Sequence, residues 1–118
     1  MKKHEETSLG LDENVEALLS YLLGWLTGII FLAIEKNSKF VRFHAMQSTL
    51  TFLGFTVLSF LFFLIPFVGF LLGLIVQITA IVVWIMCMLK AYQGEKFKLP
   101  ITGDLSERLL NENRQRKE

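Results

Sequence analysis

The sequence predicts an all-α integral membrane protein with three transmembrane helices, short connections and a short C-terminal surface helix. Three observations carry this. Residues 45–89 contain no Asp, Glu, Lys, Arg or His and are interrupted only around Pro66 and Gly69. At 1.5 Å per helical residue, about 20 residues on either side of that break suffice for a hydrocarbon core of about 30 Å, so the stretch reads as a helical hairpin. A third apolar stretch, residues 17–34, has comparable length. Finally, 53% of the 118 residues are hydrophobic, mean hydropathy is +0.48, and the charges lie almost wholly outside the apolar stretches. A soluble bundle would place polar residues every three or four positions along each helix. Here those positions hold Phe, Leu, Ile and Val.

Composition also bounds function. A net charge of +1 lacks the basic face a nucleic-acid binder needs. The single cysteine, Cys87, forms no intramolecular disulfide and no metal cluster by itself, and reads as a small apolar side chain packed in the third span. The polar segment 1–14 shows no cleavable signal pattern, so the first apolar stretch is expected to stay as a span.

In chain order, residues 1–14 form a polar tail, 15–93 the membrane domain with spans at about 17–34, 45–65 and 69–89, and 94–118 a charged cytoplasmic tail. Asp12 is an N-cap candidate, with Glu13 and Glu16 in the following turn. Ser20, Gly24 and Gly28 recur every four residues and predict a strip of small side chains where another helix packs closely. Residues 35–43 interleave Lys36, Lys39 and Arg42 with Phe40 and Phe43, as a segment at headgroup level would. Asn37 and Ser38 are turn and cap candidates before the second helix.

The second span opens on an unusually polar face. His44, Gln47, Ser48 and Thr51 follow the i, i+3, i+4, i+7 spacing, with Arg42 just before them, and should face a neighbouring helix or water. In the third span Gly69 and Gly73 form a second small-residue strip, followed on the same side by Gln77, whose amide is expected to bond across to another helix. Beyond it, Gly94 suits a helix C-terminus, and Asp104 with Glu107 resembles a capping box for a short surface helix. Three spans put the 35–43 loop and the C-terminal tail on one side. The basic residues there place that side in the cytoplasm and the N-terminus outside the plasma membrane.

Lys39-Phe40-Val41-Arg42-Phe43-His44-Ala45-Met46-Gln47-Ser48 closely resembles the signature of a large family of small, uncharacterised prokaryotic membrane proteins grouped with the chloroplast inner-envelope import component of the Tic translocon. The segment Gly94-Glu95-Lys96-Phe97-Lys98-Leu99-Pro100 is similar to that family's Gly-Glu, aromatic, Pro segment after the last helix. The resemblance covers most of residues 12–100 and marks Arg42, His44 and Gln47 as signature positions. It implies no catalytic residues. The plastid relative is described with four spans, where this chain supplies three.

No catalytic set, metal-ligand spacing or phosphate-cradling loop occurs, and no enzyme activity, cofactor or metal is expected. The expected function is that of a small membrane adaptor or assembly protein, or a protein-translocation-related factor. Its partners would be the lipid bilayer and another membrane protein or a second copy of itself. The polar second-span entrance would serve that contact, while Lys36, Lys39, Lys96 and Lys98 attract anionic headgroups. An oligomeric channel or transporter for a small solute or ion is the alternative.

Overall fold

The computed structural model describes residues 7–117, all of whose regular elements are helices: α1 (Glu13–Leu22), α2 (Trp25–Ile34), α3 (Lys39–Phe63), α4 (Val68–Tyr92) and α5 (Thr102–Lys117). Only α3 and α4 are both long and apolar enough to cross a membrane. Each has 25 residues, which gives about 37 Å of helix.

The α3–α4 pair is the expected hairpin. Ser38 caps α3 by accepting from the Val41 N–H. The far turn is built on Pro66 and Phe67. Phe67 has φ +63 and is 92% exposed at the tip, while the Val68 N–H donates to the Pro66 carbonyl. Immediately after it, Gly69 lies under the Phe62 carbonyl and Gly73 under the Phe63 ring, so the second small-residue strip serves close packing of α4 on α3. At the other end Gly94, at φ +79, terminates α4. Its N–H reaches the Ala91 carbonyl and the Glu95 N–H reaches the Lys90 carbonyl, in the manner of a left-handed helix cap.

The first apolar stretch is not the single span expected over 17–34. It breaks at Gly24, φ +65 and ψ −132, into two ten-residue helices. At about 15 Å each, neither crosses a hydrocarbon core. They run out and back beside the N-terminal half of α3. At the foot, the Glu13 carboxylate accepts from the Ser38 hydroxyl and the Asn14 amide donates to the Tyr92 carbonyl at 3.0 Å. At the tip, Gly24 meets Phe52 and Ser48. α2 then returns, with Gly28 against Ala45 and Thr49, until Leu32 and Glu35 stand beside Arg42.

The break survives because its freed carbonyls find donors. Trp84 Nε1 donates to the Tyr21 carbonyl at 2.7 Å and lies 3.2 Å from that of Leu22. Ser48 Oγ donates to Gly24 at 2.9 Å, and Thr27 Oγ1 to Ser20 at 3.1 Å. Backbone polar groups freed from a helix and removed from water require such satisfaction. Ser20, Gly24 and Gly28 therefore do not form one continuous strip: Gly24 makes the turn and Gly28 the close approach.

This geometry also moves the N-terminus. The expectation set it opposite the 35–43 loop, but the Ser8 N–H donates to the Glu35 carboxylate at 2.9 Å and the Lys36 N–H to Ser8 Oγ at 2.9 Å. Residues 7–14, residues 35–38 and the end of α4 thus share one end of the bundle. Residues 7–10 of the expected polar tail are held there, while residues 1–6 of that tail lie outside the described residues.

The expected capping box is not formed either. α5 begins at Thr102, two residues before Asp104, after Ile101 at φ +69. Glu107 reaches across to Lys96 and Lys98 at 2.5 and 2.8 Å instead of back to its own helix end. The helix continues as far as Lys117.

Candidate functional site

The polar face of α3 is consumed inside the fold. His44 and Gln47 are both fully buried, and with Tyr21 of α1 they clamp the extended segment that follows α4. Gln47 Nε2 donates to Tyr21 Oη at 2.8 Å and to the Phe97 carbonyl at 2.9 Å, while Gln47 Oε1 accepts from the Leu99 N–H at 2.9 Å. His44 Nε2 stands 3.1 Å from the Glu95 carbonyl, which can only accept, so this nitrogen carries the hydrogen. Nδ1 of the neutral ring then accepts from Tyr21 O–H at 2.7 Å. Every donor and acceptor of the two side chains but one lone pair on the Gln47 oxygen is accounted for. The rings of Tyr21, Phe40 and Phe43 all meet His44 edge-on.

The other polar residues at the start of α3 do comparable work. Arg42 Nη1 donates to the Leu32 carbonyl at 2.9 Å and the Glu35 carbonyl at 2.7 Å, a cation holding the C-terminal end of α2. Ser48 holds the α1–α2 break, and Thr51 Oγ1 donates to Thr102 Oγ1 at 2.9 Å, where α5 begins. The two sequence motifs, residues 39–48 and 94–100, are two halves of one contact.

Of the basic residues expected at lipid headgroups, Lys96 is paired with Glu107 and lies 4.8 Å over the Phe43 ring, and Lys98 is paired with Glu107 and Asp104. These contacts hold α5 to the 95–99 segment. The Glu107 carboxyl, bonded first by Lys96 and then by Lys98, has its pKa lowered to about 2. Lys36 and Lys39 lie at the same end of the bundle, flanking the α3 cap.

A second polar cluster sits at the foot of the α1–α2 pair, where Glu13, Glu16 and Glu35 are all fully buried. Burial first, then the contact of its carboxyl with that of Glu35 and the nearby charge of Glu13, raises the Glu16 pKa to about 7. For Glu35 burial also acts upward, but the Glu16 carboxyl and the N–H groups of Ser38, Ser8 and Asn37 outweigh it and lower its pKa to about 2. The two carboxyls thus titrate at opposite ends of the range. Glu16 favours the folded state while protonated. Its contribution is complete below the ordinary carboxyl value of 4.5 and is lost as pH rises to about 7. Glu35 contributes above 4.5 and loses its contribution as pH falls to about 2. Thermal unfolding in mild detergent should therefore show stability declining between about pH 4.5 and 7 in the native chain, and Glu16→Gln should remove that decline while leaving the acid limb. A decline of equal size in the variant would refute the assignment to Glu16.

Sequence reasoning missed Tyr21, Trp84, Asn14 and the buried glutamates as partners. The available signal was in α1, where positions 13, 16, 17, 20 and 21 share one helical face and are all buried although four of the five are polar or carry a polar tip. Gln77, by contrast, stays where a polar side chain is least welcome. It lies on the exposed side of α4, eight residues from the Ile85 that neighbours Trp84, and none of the described residues hydrogen-bonds its amide.

Two long apolar helices with an apolar exposed surface, a pair of shorter helices and a polar clamp closing one end together define a small helical membrane protein. The chain belongs to the MamF/MmsF family, described as a magnetosome magnetite crystal formation protein family, whose profile matches residues 12–106. It is 55% identical over 102 residues to a UPF0132 membrane protein of Methanocaldococcus jannaschii, covering 86% of this chain and 92% of that one. It is 54% identical over 100 residues to a UPF0132 membrane protein of Archaeoglobus fulgidus, covering 85% and 97%. A further M. jannaschii relative of the same designation is 45% identical over 105 residues, covering 89% and 75%. No solved structure matches the chain.

Proposed function

We propose that this protein is a non-catalytic assembly element of the plasma membrane, with two spans, a re-entrant N-terminal pair and both termini on the cytoplasmic side, that joins to a second copy of itself through the Gln77 face of α4. The topology reading draws on the shared end of residues 8, 35 and 92 and on Lys36, Lys39 and Lys90 at that end. A kinship with the Tic import component, and a translocation-related role through it, would rest on the two motifs that meet in the clamp.

The observation that carries the assembly reading is the exposed Gln77 amide. In lipid no water satisfies it, and polar side chains there turn to other helices. An amide offers both donors and an acceptor, so two copies related by a two-fold axis supply each other's bonds. Phe70, Leu74 and Ile81, exposed on the same flank, would pack around the pair. Other members are described by magnetosome magnetite crystal formation. The role proposed for this chain is the membrane framework alone.

Association measured by energy transfer between labelled copies in liposomes tests this. Gln77→Leu removes both reciprocal bonds and should weaken self-association about thirtyfold, the equivalent of roughly 1 kcal/mol for each bond in membranes. Equal association of the native and Gln77→Leu chains would overturn the proposal.

A further inference from the structure

We infer that the protein is a membrane wedge that selects, and at high density imposes, curvature in which the leaflet on the side of its termini is the expanded one. The inference rests on the re-entrant topology proposed above, and not on self-association.

The two halves of the molecule differ in girth. In the half nearer the termini, a section parallel to the membrane cuts α1, α2, α3 and α4. There α1 bonds both spans, through Tyr21 to His44 and Trp84 and through Asn14 to Tyr92, while α2 packs along α3 by Gly28 on Ala45 and Thr49. Residues 95–102 add to this half beside α1, tied by Gln47 to Phe97 and Leu99 and by Thr51 to Thr102, where α5 begins. Beyond the tip at Leu22–Gly24 only α3 and α4 remain. There the exposed surface is continuous, from Val57, Leu58 and Leu61 to Phe70, Leu74 and Ile78.

α2 is embedded in lipid and not lifted above it, because Leu26, Ile29, Ile30 and Ile34 are all exposed along its outer side. Its apolar surface ends at Glu35, level with Arg42. With helices about 10 Å across, four in one leaflet against two in the other roughly doubles the protein area on the wide side. Lipids fill the deficit at least cost where the bilayer bends so that the wide-side leaflet is stretched. A flat bilayer must instead splay or thin its far leaflet around the narrow half, a cost of the kind incurred by hydrophobic mismatch. Three features make the taper rigid. The Gly24 turn is bonded by Ser48 and Trp84, the foot by Glu13 to Ser38, and the returning end of α2 by Arg42. A loosely tethered pair would be free to rise into the headgroups.

The test uses the full chain labelled with one fluorophore near residue 8 and reconstituted into vesicles extruded at small and large diameters. Protein density per lipid is read vesicle by vesicle, and orientation by quenching of the label from outside. Molecules with their termini outward should be enriched several-fold on small vesicles, and molecules with their termini inward depleted. Density independent of diameter for both orientations overturns the wedge. So does equal enrichment of the two orientations, which reports packing defects without any taper. Labels placed near residue 8 and at Gly94 in the same vesicles separate this failure from that of the topology. If the two positions are quenched from opposite faces the re-entrant reading itself is wrong, whereas shared quenching without sorting removes the wedge alone.

Discussion

Gln47→Leu should leave α3 and α4 inserted yet release the segment that follows α4. Leucine fills much the same volume but strands the Phe97 carbonyl and the Leu99 N–H, both of which Gln47 satisfies now, and withdraws the donor from Tyr21 Oη. Each unpaired buried group costs about 1–3 kcal/mol, so the expected loss is roughly 3–5 kcal/mol, a large share of the stability of a chain this small. Limited proteolysis should find residues 95–101 newly cleavable in the variant and protected in the native chain. His44→Ala should act in the same direction more weakly, since it frees one carbonyl, that of Glu95, and one hydroxyl, that of Tyr21. Undiminished protection in Gln47→Leu would show that the apolar contacts of Phe97 and Leu99 hold the segment without the clamp.

Gly69→Ala should be among the most damaging methyl additions available to this chain. A Cβ there would stand 2.0 Å from the Phe62 carbonyl oxygen and 2.9 Å from Ile65 Cβ, and because the first is backbone, only opening of the α3–α4 turn can relieve it. The cost should reach or exceed the upper end of the about 1–3 kcal/mol typical of overpacking. Gly73→Ala meets the Phe63 ring at 2.6 Å, a side chain that can turn aside, and should cost less. Gly54→Ala meets nothing within 4 Å and should be neutral or stabilising by up to about 1 kcal/mol from helix propensity. Unfolding in a denaturing detergent, compared across the three variants, checks the order. Gly69→Ala no less stable than Gly54→Ala would mean the turn is looser than drawn.

The α3–α4 hairpin was plain in the sequence because lipid imposes one strong rule, uninterrupted apolar length, and residues 45–89 obey it. The motif at 39–48 was equally visible as a polar face, and its residues do meet a neighbouring segment. Its partner stayed hidden because hydrogen bonds from Gln47 to residues 97 and 99 span about 50 positions and leave no local periodicity. The first apolar stretch misled for a physical reason. Hydropathy is blind to φ, and Gly24 within an apolar run reads equally as a packing surface or as a reversal. What decides between them is whether donors exist for the freed carbonyls, and those donors, Ser48 and Trp84, lie on other helices. Glu13 and Glu16 were read as first-turn residues suited to the helix dipole, whereas that end is covered by residues 7–8 and 35–38.

The Trp84 indole that seals the re-entrant tip sets an order on biogenesis. Ribosomes deliver residue 24 some sixty positions before residue 84, so the Tyr21 and Leu22 carbonyls emerge with no indole to receive them. In the topology proposed above, the α1–α2 pair would have no permanent place in the bilayer core until α4 has been made, and would wait near its surface. The first greasy segment to be synthesised is thus the last to settle.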